Sequence, residues 1–180
     1  MKVGSDRYAD LDLVARRIRK NVLDMVISAK SGHVGGAFSA AEIFAALYFR
    51  IMNIDPANPT WEDRDRFVLS KGHSAAGLYA CLAQRGYFDP AILTTFDDLD
   101  SKLQAHPDMH KAPGIDMSTG SLGQGLSAAV GMALGARLLG KHSRVYCMIG
   151  DGECQEGQVW EAALSAPHMH LHNLTVFLDH

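Results

Sequence analysis

An acidic segment at residues 150–153 is the part of the sequence best suited to chemistry. It reads Gly150-Asp151-Gly152-Glu153 and directly follows the apolar run RVYCMI, which is typical of a buried strand. Ligands of open parallel sheets bind at the carboxyl ends of the strands. The two glycines would let the backbone approach a phosphate, and the Asp151 carboxylate could fill one position in the oxygen shell of magnesium. Taken alone, the motif is short, and a turn with a solvated aspartate is the simpler interpretation.

Three glycines further back in the chain form a second candidate site. Gly120, Gly123 and Gly125 have the order G-x-x-G-x-G. This order differs from the dinucleotide-binding order G-x-G-x-x-G, and it follows a polar loop instead of a strand, so an NAD site is disfavoured. The glycines precede a helix-like segment, whose free N–H groups could receive an anion. Close packing of that helix explains the glycines equally well, and both interpretations remain open.

Histidines in loops are candidates for proton transfer. His33 and His73 each lie in a glycine-bearing loop, and His106 lies in QAHPDMHK. Neutral imidazoles exchange protons near neutral pH, and loops on a rigid scaffold often carry function. The segment HMHLH at residues 168–172 has alternating histidines that could bind zinc. A polar entry to the last strand is the favoured interpretation, because no further ligands are visible.

Glutamates follow Asp151 at three positions, Glu153, Glu156 and Glu161. By themselves they are typical of a charged helix start, which the helix macrodipole favours. A metal-dependent hydrolase that uses Asp151 and Glu153 is conceivable, but hydrolytic metal sites generally show more protein ligands.

Apolar periodicity predicts the helices that position these segments. Apolar residues recur every three or four positions from Leu11 to Val26 and predict an amphipathic helix, which the glycines of SGHVGGAF then interrupt. Ser39 and Glu42 have the spacing of a capping box, which predicts a new helix over IFAALYFRIM. Another helix is predicted over SAAGLYACLAQR, and one more begins at DPAILTTF with its aspartate as N-cap.

Three apolar runs predict the strands, namely RFVLS, RVYCMI and NLTVFLD. The first run ends at the loop that carries His73. The last two are separated by the helical pattern VWEAALSA, as in neighbouring parallel strands joined by a crossover helix. The sequence therefore predicts an α/β domain with a parallel sheet and helices on both of its faces.

Composition bounds the class of protein. The 180 residues are 47% apolar and 21% charged, which suits one globular domain over residues 1–180. A net charge of −3 provides no basic field for nucleic acid or anionic lipid. Three cysteines without C-x-x-C spacing, no signal peptide and no apolar span predict a cytoplasmic protein that neither spans a membrane nor is exported.

Five segments in their order and spacing resemble the amino-terminal part of transketolase: SGHVGG, LSKGHSA, HPD, STGSLGQGL and GDGECQEGQVWEA. The resemblance covers nearly the whole chain and implies a thiamine-diphosphate-binding fold. It also implies transfer of a two-carbon glycolaldehyde unit from a ketose or ketose phosphate to an aldose or aldose phosphate. In the family, an asparagine further along completes the metal site begun by the aspartate of GDG. That asparagine would fall just after His180, so the domain is expected to be incomplete there.

The resemblance implies a set of cofactor-binding residues around thiamine diphosphate. Asp151 would bind Mg²⁺ or Ca²⁺, His73 would reach the diphosphate, and Gly120 and Leu122 would lie near the thiazolium ring. The cofactor-binding residues implied by the resemblance are His73, Gly120, Leu122, Gly150, Asp151, Gly152, Glu156 and Glu161.

The resemblance also implies residues outside the cofactor's diphosphate end. His33 and His106 match the substrate-side histidines, which bind the donor's hydroxyls and assist proton transfer. Glu156 and Glu161 match glutamates at a subunit interface near the cofactor.

The implied enzyme needs a partner. In the family, the glutamate that activates the aminopyrimidine ring and the arginines that grip sugar phosphates lie in other parts of the protein. We therefore expect a carboxyl-terminal half or subunit with the pyrimidine-binding domain, an oligomer, and no activity from residues 1–180 alone. The chain is either one subunit of a split enzyme or a fragment of a longer one, and its length favours a fragment. A noncatalytic interaction module that keeps the fold is the alternative function.

Overall fold

A three-stranded parallel sheet lies at the centre of the structure, a computed structural model that describes residues 8–180. The strands are β1 (Arg66–Leu69), β2 (Val145–Gly150) and β3 (Leu174–Asp179). They are arranged in the order β1-β2-β3, and both neighbouring pairs are parallel. In register, Arg66 lies beside Val145, which lies beside Leu174, so all three strands begin at the same edge. The predicted parallel sheet is confirmed.

Helices cover both faces of this sheet. They are α1 (Ala9–Ala29), α2 (Val34–Ser39), α3 (Ala41–Ala46), α4 (Ala75–Arg85), α5 (Gln124–Leu138) and α6 (Gly157–His168). A π-helical turn over Leu47–Ile51 extends α3. The predicted first helix, the small-residue helix α5 and the crossover helix α6 are all confirmed. Within residues 8–180, no helix is both long and apolar enough to span a bilayer.

Two apolar cores form because successive strand residues face opposite layers. In β2, Tyr146 and Met148 pack into the core made with α1, α3 and α4. Val145, Cys147 and Ile149 pack into the second core, with α5 and α6. The strands can therefore be continuously apolar, as parallel strands buried on both faces are.

The predicted capping box is wrong. Helix α3 begins close to the predicted place, at Ala41, but Ser39 is the last residue of α2, and Ala40 occupies the N-cap position without a side-chain cap bond. The Ser39 hydroxyl instead donates to Asp179 Oδ2 at 2.5 Å. Glu42 accepts two hydrogen bonds from the Arg19 guanidinium, at 2.5 and 2.6 Å. Both side chains of the predicted capping box therefore bond to residues that are distant in the sequence.

Two local predictions differ from the structure in the type of backbone conformation. Asp89 caps as predicted, accepting from the Ala91 amide at 2.8 Å, but the segment it opens is a 3-10 helix over Pro90–Thr95. The alternating histidines at residues 168–172 do not enter a strand. His168 ends α6, and His170 has a left-handed φ of 54°, so the segment is a turn.

A long segment without regular structure, residues 96–123, carries part of the candidate site and is fastened to the sheet. Asp116 is buried and accepts from the Phe67 amide at 2.8 Å and from Arg64 at 2.5 Å. The Thr119 hydroxyl donates to the Leu69 carbonyl at 2.6 Å. These bonds hold the segment along β1, so the residues before α5 have a defined place at the strand ends.

Candidate functional site

A cleft of about 450 Å³ opens at the carboxyl ends of the strands. This is the edge at which open parallel sheets bind ligands. Residues from α2, from the ends of all three strands and from the segment before α5 meet there. They are Gly35, Gly36, Ser39, Lys71, His73, Leu122, Gly150, Asp151, Gly152, Glu153, Asp179 and His180.

Asp151 is the first residue after β2, and its side chain is 63% exposed. Its backbone N–H donates to the Asp179 carbonyl at 3.0 Å, which fixes where the carboxylate leaves the sheet. The Gly152 backbone N–H and the neighbouring His180 lower the pKa of Asp151, so the carboxylate is ionised, as a metal ligand must be. A Cβ added to Gly152 would meet nothing within 4 Å, so the backbone is open to a ligand there.

The floor of the cleft holds a buried ion pair. The Lys71 ammonium pairs with the Asp179 carboxylate and donates to the Gly36 carbonyl at 2.9 Å. Ser74 Oγ is buried and has no hydrogen-bond partner within the described residues. It lies 2.6 Å from the position of a Cβ on Gly36, so only glycine fits there without displacing a neighbour. The floor of the cleft, where Asp179 neutralises the Lys71 ammonium, is thus polar and packs against α2.

Of the three histidines predicted in loops, His73 lines this cleft, whereas His33 and His106 lie outside its lining. The rings of His33 and His73 meet edge to face, with their centroids 5.4 Å apart. Partial burial, followed by the neighbouring His33, lowers the pKa of His73, which is therefore neutral at pH 7. His106 is exposed, and its ring lies 3.1 Å from the position of a Cβ on Gly120.

The two predicted glutamates of α6 lie outside the cleft lining. Glu156 occupies the N-cap position of the helix without a side-chain cap bond, and its Cβ lies 2.9 Å from the position of a Cβ on Gly123. Glu161 is exposed one turn further along α6. Both are accessible on the surface beside the cleft.

Glu153 is the residue that sequence reasoning undervalued. Its spacing suggests part of a charged helix start, yet it is only 1% exposed. It accepts from the amides of Gly123, at 2.8 Å, and Gly150, at 3.0 Å. The Ser70 hydroxyl also donates to it. Its place directly after the strand-ending Gly-Asp-Gly was the available signal, because a carboxylate there can turn back toward the sheet.

The glycines before α5 serve close packing. A Cβ on Gly125 would lie 2.6 Å from Ser70 Cα, and one on Gly72 would lie 2.8 Å from the Gly120 amide nitrogen. The anion at the amino terminus of α5 is the protein's own Glu153. Of the two interpretations left open by the sequence, the structure favours packing.

Alternative metal centres have little support. Within residues 8–180, no three histidine, cysteine, aspartate or glutamate side chains are grouped so as to hold a metal ion. Neither the histidines at residues 168–172 nor Asp151 with Glu153 form such a group. The remaining candidate in the cleft is a single exposed carboxylate, that of Asp151.

Fold and cleft define a parallel α/β domain with a cleft at the strand ends beside a glycine-flanked aspartate. The family described as "Transketolase, thiamine diphosphate binding domain" matches residues 11–180. The chain belongs to this family, and its resemblance to the amino-terminal part of transketolase is confirmed.

Individual relatives agree with this assignment. The chain is 50% identical over 176 residues to the 6-deoxy-6-sulfo-D-fructose transketolase subunit of Clostridium sp. (strain MSTE9), covering 98% of this chain and 64% of that protein. It is 45% identical over 179 residues to human transketolase, covering 99% of this chain and 29% of that protein. The solved structure of transketolase from Leishmania mexicana superposes with a TM-score of 0.91 at 35% identity, covering 93% of this chain and 27% of that one. The chain thus spans less than two thirds of the length of these relatives.

Proposed function

We propose that this chain is the diphosphate-binding half of a transketolase, which transfers a two-carbon unit from a ketose to an aldose. The reaction would use thiamine diphosphate and a divalent metal ion, and it would need a pyrimidine-binding half or subunit in an oligomer. The observation that carries the proposal is the cleft itself. It brings His73, Leu122 and the Gly150–Gly152 motif together at the strand ends of a domain of this family.

The residues of the cleft fit a metal-bound diphosphate. Mg²⁺ is commonly held by one or two carboxylates together with phosphate oxygens and water, so the single exposed carboxylate of Asp151 is sufficient from this part of the protein. Gly152 leaves the backbone open, and the ion-paired Lys71 ammonium provides a polar group at the floor. His73, being neutral, can donate one ring N–H to a phosphate oxygen.

Thiamine diphosphate, when bound, supplies the carbanion chemistry of the reaction. This chain's residues would hold its charged end and manage protons on the substrate. Asp151 would bind the metal, while Gly120 and Leu122 would border the ring end of the cofactor. His33 and His106 would bind sugar hydroxyls and exchange protons with them, since His33 packs against the cleft-lining His73 and His106 lies beside Gly120. A noncatalytic module would not require this arrangement, and no observation favours it.

We further propose a sugar with an anionic terminus as the substrate. The 6-deoxy-6-sulfo-D-fructose transketolase subunit is 50% identical to this chain, and an apulose-4-phosphate transketolase subunit from Actinobacillus succinogenes is 43% identical to it. Both names specify a sugar that carries an acid group at its end. Both names also describe one subunit of an enzyme, which supports assembly with a separate pyrimidine-binding chain.

Replacing the metal ligand tests the proposal. In the protein assembled with its pyrimidine-binding half, Asp151→Ala should abolish Mg²⁺-dependent binding of thiamine diphosphate, because it removes the only charged metal ligand proposed in this part of the cleft. Isothermal calorimetry with and without Mg²⁺ measures this directly. Unchanged affinity and unchanged metal dependence would refute the assignment of the Gly150–Gly152 motif.

His106→Ala is the matched control at the substrate side. It should leave cofactor affinity close to that of the wild type while lowering kcat, because His106 is assigned to proton transfer on the sugar. Loss of cofactor binding with normal turnover at saturating cofactor would reverse the two roles.

A further inference from the structure

We propose that Glu153 is a positioning residue that assembles the cofactor cleft before the cofactor arrives. The inference rests on the proposed function, since it concerns the same cleft. Glu153 would not touch the reacting atoms. Its role would be to hold three separate segments of the cleft in the arrangement that a diphosphate and a metal ion require.

The three hydrogen bonds of Glu153 each reach a different segment. Oε1 accepts from the Gly123 amide at 2.8 Å and from the Ser70 hydroxyl. Oε2 accepts from the Gly150 amide at 3.0 Å. Ser70 directly follows β1, Gly150 ends β2, and Gly123 is the residue before α5. A single carboxylate therefore joins the ends of two neighbouring strands to the amino terminus of a long helix.

Each of these segments contributes to the cleft within a few residues of its bond to Glu153. Lys71 and His73 follow Ser70, Leu122 precedes Gly123, and Asp151 follows Gly150. The diphosphate-facing and ring-facing parts of the cleft are consequently set by the same side chain. A site held in this way avoids ordering its loops when the ligand binds, which improves affinity.

A role in packing alone does not explain why a carboxylate is buried at position 153. The side chain is 1% exposed, and within residues 8–180 no basic side chain forms an ion pair with it. Burying an unpaired carboxylate is costly, and here only backbone N–H groups, one hydroxyl and the positive end of the α5 dipole offset the cost. The carboxylate also lies in the wall of a cleft proposed for an anion. Its negative charge opposes that ligand, so the benefit of Glu153 must come through the geometry that it imposes.

Replacing Glu153 with glutamine distinguishes the effect of its hydrogen-bond geometry on cofactor affinity from the effect of its charge. A carboxylate accepts at both oxygens, whereas a glutamine amide has one accepting oxygen and one donating nitrogen. That nitrogen can donate to the Ser70 hydroxyl, but then it cannot also accept from the Gly123 amide. One backbone N–H, of Gly123 or of Gly150, must lose its partner. Glu153→Gln therefore frees one loop while it removes a charge that repels the diphosphate, and the two effects on affinity have opposite signs.

Asp116 provides a matched control. It is likewise a buried carboxylate that accepts from a strand amide, that of Phe67, but this contact lies three residues back along β1 from Ser70, roughly 10 Å from the cleft edge. Asp116→Asn weakens the attachment of the segment around residue 116, while the Thr119–Leu69 bond and the three bonds of Glu153 still hold the residues that reach the cleft. Its effect measures what loss of a buried carboxylate does to the fold alone.

The test compares Glu153→Gln, Ser70→Ala and Asp116→Asn in the full protein assembled with its pyrimidine-binding half. Calorimetry gives the Kd of thiamine diphosphate in Mg²⁺, thermal unfolding gives the Tm without cofactor, and steady-state kinetics gives kcat at saturating cofactor. We expect Glu153→Gln to raise the Kd about tenfold or more, with kcat largely recovered at saturation. Ser70→Ala, which removes one of the three hydrogen bonds of Glu153, should raise the Kd less than Glu153→Gln does. Asp116→Asn should lower the Tm yet leave the Kd within about twofold of the wild type.

Several outcomes would overturn the proposal. If Glu153→Gln binds the cofactor as tightly as the wild type, or more tightly, charge repulsion outweighs positioning. If Asp116→Asn weakens cofactor binding to the same degree, the effect is general destabilisation.

Amide hydrogen exchange of the cofactor-free protein separates this inference from the proposed function. Exchange near Gly123 or Gly150 should accelerate in Glu153→Gln whether or not any cofactor binds, and unchanged exchange would show that Glu153 does not hold these segments. A wild-type protein that binds no thiamine diphosphate would refute the proposed function and the cofactor role of Glu153, while exchange would still decide whether the carboxylate ties the segments together.

Discussion

At the scale of single residues, the lowered pKa of His73 makes the stability of the folded protein depend on pH. The pKa of His73 is lowered from 6.5, mainly by partial burial and then by His33. As the pH falls below about 6.5, the unfolded chain therefore binds a proton before the folded one does, and the folded state loses stability. His73→Gln lacks this proton site. We expect the Tm of the cofactor-free variant, relative to the wild type, to rise as the pH is lowered from about 8 to about 5.

Thermal unfolding across that pH range checks the sign of the effect. His142→Gln is a suitable control, because His142 is exposed and lies away from the cleft. Its Tm should follow that of the wild type at every pH. If the difference in Tm between His73→Gln and the wild type stays constant with pH, His73 does not titrate with a lowered pKa.

Residue types and the resemblance indicated side chains that line the cleft but not those behind them. Asp151 and His73 stood out by type and position, Leu122 was implied by the resemblance, and the structure places all three in one cleft. Glu153 escaped because its burial depends on a hydroxyl 83 residues away and an amide 30 residues away. No local pattern records partners at such separations.

At the scale of elements, α5 shows how one helix uses its glycines in two ways. Gly125 faces Ser70, where an added Cβ would lie 2.5 Å from Oγ and 2.6 Å from Cα. Gly131 is exposed, and a Cβ there would meet nothing within 4 Å. We expect Gly125→Ala to destabilise the protein by about 1–3 kcal/mol, since the helix or the strand end must move. Gly131→Ala should stabilise it by up to about 1 kcal/mol, because alanine is the better helix former.

Urea unfolding of the two variants measures both signs on the same helix. Gly125→Ala should also weaken cofactor binding, because it displaces Ser70, whereas Gly131→Ala should not. Equal stability of the two variants would mean that α5 does not press against the end of β1.

Element type followed from the sequence more reliably than element boundaries. The apolar runs of β1, β2 and β3 and the periodicity of α1 decide those elements locally, so they were predicted correctly. The capping box failed because its partners are distant, since Arg19 lies 23 residues from Glu42 and Asp179 lies 140 residues from Ser39. Caps are local preferences worth about 1 kcal/mol, and tertiary hydrogen bonds and ion pairs can replace them.

At the scale of the whole molecule, the described chain leaves one side of its second core uncovered. Trp160 and Leu164 on α6 are 60% and 74% exposed, and Val176 and Leu178 on the edge strand β3 are 42% and 58% exposed. Apolar patches of this kind on an open strand edge favour association. The relatives matched here are longer than this chain, so activity has to be tested with these residues set in a complete enzyme.

A chimera provides that test. Residues 11–180 would replace the matching segment of human transketolase, with which the chain shares 45% identity. We expect the chimera to transfer two-carbon units in the presence of thiamine diphosphate and Mg²⁺, on the order of one per second or faster. The same chimera with Asp151→Ala should be inactive because it cannot hold the metal-bound cofactor. Residues 1–180 expressed alone should also be inactive, because the resemblance places the cofactor-activating glutamate in the pyrimidine-binding half. A folded chimera that binds thiamine diphosphate yet transfers nothing, or transfer by residues 1–180 alone, would contradict the assignment of this chain as half of a transketolase site.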